Sequence, residues 1–186
     1  MYIGAIFVGD TEVDDGQDTL KLDGDTGLYG GITYGINDKW GVQFDYNKYG
    51  SEWKYESANM DVDVEVLEFN VLYKVNPYLN AFAGYVTADA EFGLDILGSS
   101  YDLGSYDTDG FQVGVMGNYP FSDKFGAFGK LAIGNNSNMY ELGVSYTFAE
   151  NWNVDLSYRD AQYDDFDDAG VDGEIDGVCL GVSTSF

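Results

Sequence analysis

The feature that most constrains this chain is a period of two. Stretches of about ten residues alternate apolar with polar or small side chains, and almost no 3.6-residue period is present. In Trp40-Gly41-Val42-Gln43-Phe44-Asp45-Tyr46-Asn47, Trp40, Val42, Phe44 and Tyr46 share one face, and Gly41, Gln43, Asp45 and Asn47 share the other. The runs Tyr140–Phe148 and Trp152–Arg159 repeat the scheme. Reading every such stretch predicts ten strands, near 2–9, 26–36, 40–48, 61–75, 78–91, 111–119, 125–134, 139–148, 152–163 and 173–186. In the fourth, Val62, Val64 and Val66 occupy even positions whereas Leu67, Phe69, Val71, Tyr73 and Val75 are odd. That change of phase predicts a β-bulge near Val66 and Leu67.

The connections alternate in length. Asn37 to Lys39, Asn76-Pro77, Pro120 to Lys124 and Ala149 to Asn151 read as tight turns. Long connections near 10–25, 49–60, 92–110 and 164–172 lie between them, with one short exception at Asn135 to Asn138. An up-and-down meander gathers the tight turns at one end and the long loops at the other. A weak internal repeat fits this plan: Gly31 to Ile36, Gly143 to Phe148 and Gly181 to Phe186 are variants of one strand, the first two running into a turn and a Trp.

Ten antiparallel strands with one apolar face can fill a water-soluble barrel or face lipid. Three features decide for lipid. The polar face is small, carrying Gly4, Gly31, Gly35, Gly41, Gly84, Gly114, Gly143, Gly177 and Gly181 among Ser, Thr, Asn and Gln, which suits a crowded lumen and not a water-facing exterior. Aromatics gather at the tight-turn end: Trp40, Tyr73, Tyr78, Tyr119, Phe121, Phe125, Phe148, Trp152 and Phe186 are placed as a membrane-interface girdle. The strand lengths match a tilted crossing of hydrocarbon, and in lipid only a closed sheet leaves no unpaired backbone. The expected fold is therefore all-β, a closed antiparallel up-and-down transmembrane barrel of ten strands, with eight as the alternative count. It is expected to fill residues 1–186 as one domain, without a periplasmic domain.

The end of the chain, Leu180-x-Val182-x-Thr184-x-Phe186, resembles the C-terminal signal of Gram-negative outer-membrane barrels. Tyr2-Ile3-Gly4-Ala5 and the Gly143–Phe148 block are similar to the small OmpA-type and OmpX-type barrels, many of which have eight strands. The resemblance implies the bacterial outer membrane as location and a bilayer with lipopolysaccharide as surroundings. It also implies insertion by the barrel-assembly machinery through the strand ending at Phe186. No leader pattern follows Met1, so the reading expects a mature form.

Composition narrows the chemistry. The chain has no histidine and one cysteine, Cys179, which removes histidine-based triads and metal clusters, Cys-rich zinc sites and an internal disulfide framework. With 33 acidic and 8 basic residues and no basic stripe, nucleic acid is excluded as a partner. The expectation is that the protein is not an enzyme. Parity places Asp45, Glu68, Lys130, Glu141, Asp155 and Arg159 on the lumen face, with Lys130 and Arg159 expected to bond among the carboxylates and plug the barrel. The acids concentrate between 10 and 25, 52 and 65, 89 and 109, and 160 and 176, which hold 26 of the 33. Hard cations prefer carboxylate oxygens, so calcium or another divalent cation is a candidate ligand at Asp23, Asp25, Asp107, Asp109, Asp164, Asp165, Asp167 and Asp168; a solvated acidic surface is the plainer account. The expected function is a structural or surface-interaction barrel that meets another surface component through its acidic loops. The alternative is a small porin-like channel.

Overall fold

The computed structural model describes residues 1–14, 19–55, 58–96, 99–166 and 171–185. Its elements are β1 (Tyr2–Asp14), β2 (Thr19–Gly24), β3 (Thr26–Gly35), β4 (Trp40–Tyr55), β5 (Ala58–Asn76), β6 (Leu79–Ile96), β7 (Ser99–Pro120), β8 (Phe125–Gly134), β9 (Ser137–Ala149), β10 (Trp152–Phe166) and β11 (Val171–Thr184). All pairings are antiparallel, and β11 returns to β1 with Tyr2 opposite Ser183, so the sheet closes on itself. β2 and β3 share one place in the ring: β1 pairs β3 along Tyr2–Phe7 and β2 along Asp10–Asp14. Between them Asp25 carries the ladder on, its carbonyl accepting from Val8 at 3.1 Å and its amide donating to Gly50 at 2.9 Å. The ring therefore has ten positions, the count the alternation predicts.

Side chains close the tight turns. The Asn37 carboxamide oxygen accepts from the amides of Lys39 and Trp40, Asn76 from Tyr78, and the Ser122 hydroxyl from Phe125. Asn151 sits at φ 63°, a left-handed conformation that Asn tolerates at a turn.

Two expectations are corrected. The stretches read as long loops are mostly strand: β4, β5, β6 and β7 run on as paired arms, so that Lys48–Tyr55 pairs Ala58–Glu65 without a break. The expected bulge at Val66 and Leu67 is absent. β5 stays in continuous register with β4 from Tyr73 to Ala58, and its inward positions run Val62, Val64, Val66, Glu68, Asn70 and Leu72 without a slip. Between Val66 and Glu68 the inner face changes from apolar to polar. Between Glu65 and Leu67 the outer face changes from acidic to apolar.

That inversion divides the barrel across its axis. In the half near the tight turns, outward side chains such as Leu142 and Phe111 are 70% and 76% exposed, and the interior is polar. In the other half Leu22, Tyr49, Val62, Val64, Tyr163, Phe166 and Ile175 are buried inside, as in a soluble protein, while Asp61, Asp63, Glu65, Asp89 and Glu91 stand outside. The physical reason is the solvent: lipid on the outside demands apolar walls, and water outside leaves apolar groups only the interior.

Substitutions should follow this division. Val64→Asp is expected to cost at least about 3 kcal/mol by placing a charge in the apolar interior, and Glu91→Gln to stay within about 0.5 kcal/mol. Leu131→Arg, on the lipid face, is expected to cost about 2–4 kcal/mol. Urea unfolding of the protein refolded into lipid vesicles measures all three.

Candidate functional site

In the polar half of the lumen, small residues on some strands make room for long side chains from others. A side chain at Gly143 would meet Phe128 and Ser157, one at Gly31 would meet Tyr2 and Asp45, and one at Gly114 would meet Phe82. The space so kept is occupied by two charged groups, which between them involve five of the six residues predicted for the lumen face.

The first centres on Lys130 of β8. Its Nζ lies 2.7 Å from Glu68 and 3.3 Å from Asp45, side chains supplied by β5 and β4. Glu68 also accepts from Gln112 at 2.7 Å and Asn70 at 3.3 Å, and the Tyr2 hydroxyl donates to Asp45 at 2.5 Å. The second centres on Arg159 of β10. Its guanidinium donates to Glu141 at 2.9 and 3.3 Å and to the Asn47 carboxamide oxygen, and lies 5.1 Å from the Tyr29 ring centroid. Ser157 donates to the other Glu141 oxygen at 2.6 Å. Each buried charge thus has an opposite charge and further hydrogen bonds, which is what burial of ions requires.

Asp155, the sixth residue, joins neither group. It lies on the wall of a cavity of about 290 Å³ toward the tight-turn end, also lined by Tyr2, Gln43, Met116, Phe128 and Ser183. Sequence reasoning placed the six charges by parity and missed their partners: Tyr2, Asn47 and Gln112 follow from how strands distant in the chain are brought together, whereas Asn70 shares β5 with Glu68 and Ser157 lies on the strand next to Glu141.

Trp40, Tyr73, Tyr78, Tyr119, Phe121, Phe125, Phe148 and Trp152 point outward around the tight-turn end, with Trp40 on Tyr73 and Tyr78 on Tyr119 as edge-to-face pairs at 5.0 and 5.3 Å. Phe186 lies outside the described residues. A second belt, absent from the sequence reading, runs higher: Tyr85, Phe111, Tyr140 and Tyr158. The Tyr85, Tyr140 and Tyr158 hydroxyls donate to Asp109, Asp160 and Asp176. Its signal was the outward parity of each tyrosine. Phe111 and Tyr119 are eight residues apart on β7, or about 20 Å along the normal at ~3.3 Å per residue and ~40° tilt, close to the apolar band of such barrels.

Residues 1–186 match the family model of the outer membrane protein beta-barrel domain. The chain belongs to this outer-membrane β-barrel family. Its place is the bacterial outer membrane. Among solved structures, the outer membrane protease OmpT from Escherichia coli is similar with a TM-score of 0.58 at 10% identity, over all of this chain and 96% of that one. The translocator domain of the autotransporter NalP from Neisseria meningitidis gives 0.50 at 13%, over 97% and 87%. Ail, the attachment invasion locus protein of Yersinia pestis, gives 0.49 at 15%, over 100% and 98%. The OmpT and NalP likenesses show the fold. No curated protein sequence matches this chain.

In this outer-membrane barrel the residues predicted to hold a divalent cation are dispersed. Asp23 is on β2, Asp25 follows it, Asp107 and Asp109 are on β7, and Asp164 and Asp165 end β10. Asp109 already receives the Tyr85 hydroxyl, and the Gln162 carboxamide donates to Asp164 at 2.9 Å. Asp167 and Asp168 lie outside the described residues, among which no three metal-ligating side chains are grouped to hold an ion.

Lys130→Met is expected to cost about 3–5 kcal/mol in urea unfolding, since it leaves Asp45 and Glu68 buried without a cation, and Glu68→Gln in the same chain to restore part of the loss. Arg159→Ala should loosen the barrel by a similar amount without creating ion selectivity in a bilayer.

Proposed function

We propose that this outer-membrane barrel is a non-conducting structural or surface-interaction protein that displays an acidic outer half to another surface component. The observation that carries this reading is the apolar interior of the outer half. Val62, Val64, Tyr163, Phe166 and Ile175 meet there around a void of only about 20 Å³, room for a water molecule and not for a hydrated ion. Below it, Lys130 and Arg159 are each held among carboxylates and amides. Both features support a plugged lumen.

The outer surface supports the interaction role. Asp61, Asp63, Glu65, Asp89, Glu91 and Asp160 project from strands whose inner faces are packed, so the acidic groups ride on a framed wall. Divalent cations between this surface and lipopolysaccharide phosphates belong to the same reading, as does insertion by assembly machinery through β11. The name of OmpT says protease of that protein; the absence of histidine here supports a role without catalysis.

In planar bilayers the refolded protein is expected to be silent. Steady single-channel steps from the unmodified protein would establish a small porin-like channel instead.

The acidic exterior also sets a pH dependence. The Glu174 carboxyl is held above its ordinary range by partial burial and then by Asp160, Glu12 and Asp176; Asp164 is raised by partial burial and then by Asp172. A carboxyl raised in the folded state binds its proton more tightly there than when unfolded. Its contribution is therefore greatest in the protonated form and is lost as pH rises through the raised value. Lowering the pH from neutral toward the upper edge of the ordinary carboxylate range is expected to raise the melting temperature of the outer half in near-ultraviolet circular dichroism. Added salt should act in the same direction by screening.

A further inference from the structure

The wall of the outer half has a notch above the β8–β9 hairpin. β8 stops at Gly134, opposite Gln112, and the pairing of β9 with β10 stops at Ser137, opposite Tyr163. β7 continues past this level to Ser99, paired with β6 alone. Side chains close the base of the notch: the Asn136 carboxamide donates to the Asp109 carbonyl at 3.1 Å, and the Thr108 hydroxyl to the Asp164 carbonyl at 2.9 Å. Above them, among the described residues, no strand pairs with the edge of β7 that is turned away from β6.

Register dictates what would fit there. The Phe111 carbonyl accepts from the Asn135 amide on the β8 side, whereas the Asn118 amide donates to Tyr78 on the β6 side. Backbone groups alternate in direction along a strand, so the odd residues of β7 turn theirs toward the vacant place as far as Ser105. A bulge at Leu103, between Asp102 opposite Gly93 and Gly104 opposite Phe92, then interrupts the run, with Gly104 at φ 106°. The same odd residues carry their side chains on the outer face, at the end of two rows of acids. Glu65, Asp89 and Asp107 lie opposite one another on β5, β6 and β7, and Asp63 and Glu91 lead to Ser105 in the next row. Like charges directly opposite repel. At the β4 end Lys48 closes both rows, its Nζ 3.1 Å from Glu65 and 3.2 Å from Asp63. β7 carries no Lys or Arg to do the same at the other end. On the inner face Tyr106 lines the same apolar void as Tyr163 and Phe166, yet it is 37% exposed beside the notch.

We propose that the vacant edge of β7 is a docking seat for an extended segment of a partner protein in which Lys or Arg alternates with apolar residues. The segment adds as an antiparallel strand. Its main chain bonds the odd residues of β7, its basic side chains end the acid rows as Lys48 does on β4, and its apolar side chains cover Tyr106. A second copy of this chain fits worse, because β7 laid on β7 sets Asp102, Asp107 and Asp109 against the same acids. The seat names the partner chemistry for the surface-interaction reading and rests on it.

The test is fluorescence anisotropy of the dye-labelled peptide Lys-Val-Lys-Val-Lys-Val-Lys with the full chain folded in nonionic detergent micelles. Saturable binding is expected with Kd on the order of 10 μM at low salt, and about tenfold weaker for Lys-Lys-Lys-Lys-Val-Val-Val, which has the same composition and charge. In the docked strand the lysines lie opposite the odd residues of β7. N-methylation of the lysine main-chain nitrogens is therefore expected to weaken binding about tenfold or more, and of the valine nitrogens less than about threefold. Ser105→Pro, its folding verified by heat-modifiable migration on gels, removes an amide that faces the vacant place and is expected to weaken the peptide about tenfold. No saturable binding, equal effects of the two methylations, or unchanged affinity in Ser105→Pro would overturn the proposal. So would a dimer of the peptide-free protein in sedimentation that Ser105→Pro dissociates. Equal binding of the block peptide would sink the seat and leave the acidic surface as a looser attraction for cations. Ion steps in bilayers would sink the non-conducting barrel and leave the seat.

Discussion

Everything in this molecule hangs on an antiparallel ladder that runs the whole way around the ring. In hydrocarbon each unpaired backbone group costs several kcal/mol, so β11 must return to β1, and it does so from Tyr2 to Val8 without a gap. Where the ladder is regular, the inward and outward identity of each residue is set by counting. β5 shows the consequence. Its register does not slip between Asp61 and Tyr73, so when the surroundings change from water to lipid the chain cannot rotate to adapt. Only the chemistry of the residues can change, and it does within three positions, from Glu65 and Val66 to Leu67 and Glu68.

The polar half shows how a barrel of ten places fills an interior that must hold no apolar core. Glycines on the lumen face leave room for Tyr2, Phe82 and Phe128 of the neighbouring strands, and two cations, Lys130 and Arg159, are held beside them among carboxylates. Such groups are costly to remove singly and are not a large net source of stability, since each attraction first offsets desolvation. What they supply is definition. Lys130 joins β8 to β4 and β5, and Arg159 joins β10 to β4, contacts between walls that the ladder alone does not connect; the bond of Arg159 to Glu141 reinforces the pairing of β10 with β9.

Much of this was legible from residue order, and the rest was not for identifiable reasons. The parity of Trp40 to Asn47 and of Trp152 to Arg159 was enough to place the strands and the tight turns. The valines at 62, 64 and 66 were misread as a bulge, because alternation reports that the two faces differ and not which one is wet. The stretches around 49–60 and 92–110 looked like loops because their acidic and small residues mask the alternation that a lipid-facing strand shows. The Tyr140 and Asp160 partnership depends on register, which a single strand does not carry. The candidate metal ligands were chosen by composition, and among the described residues they are carried by β2, β7, β10 and the residue after β2.

The inversion at Val66 means that one continuous strand is dissolved in two solvents. Its outer half excludes water on folding, as an ordinary globular domain does, whereas its inner half exchanges contacts with lipid tails of nearly the same polarity. The large positive heat capacity of unfolding that follows from hydrating apolar groups belongs to the first situation. The curvature of this protein's stability with temperature is therefore a property of the part that stands clear of the membrane. Cooling weakens that part, while the hydrogen-bonded belt below it is held by a solvent that the backbone cannot hydrogen-bond to.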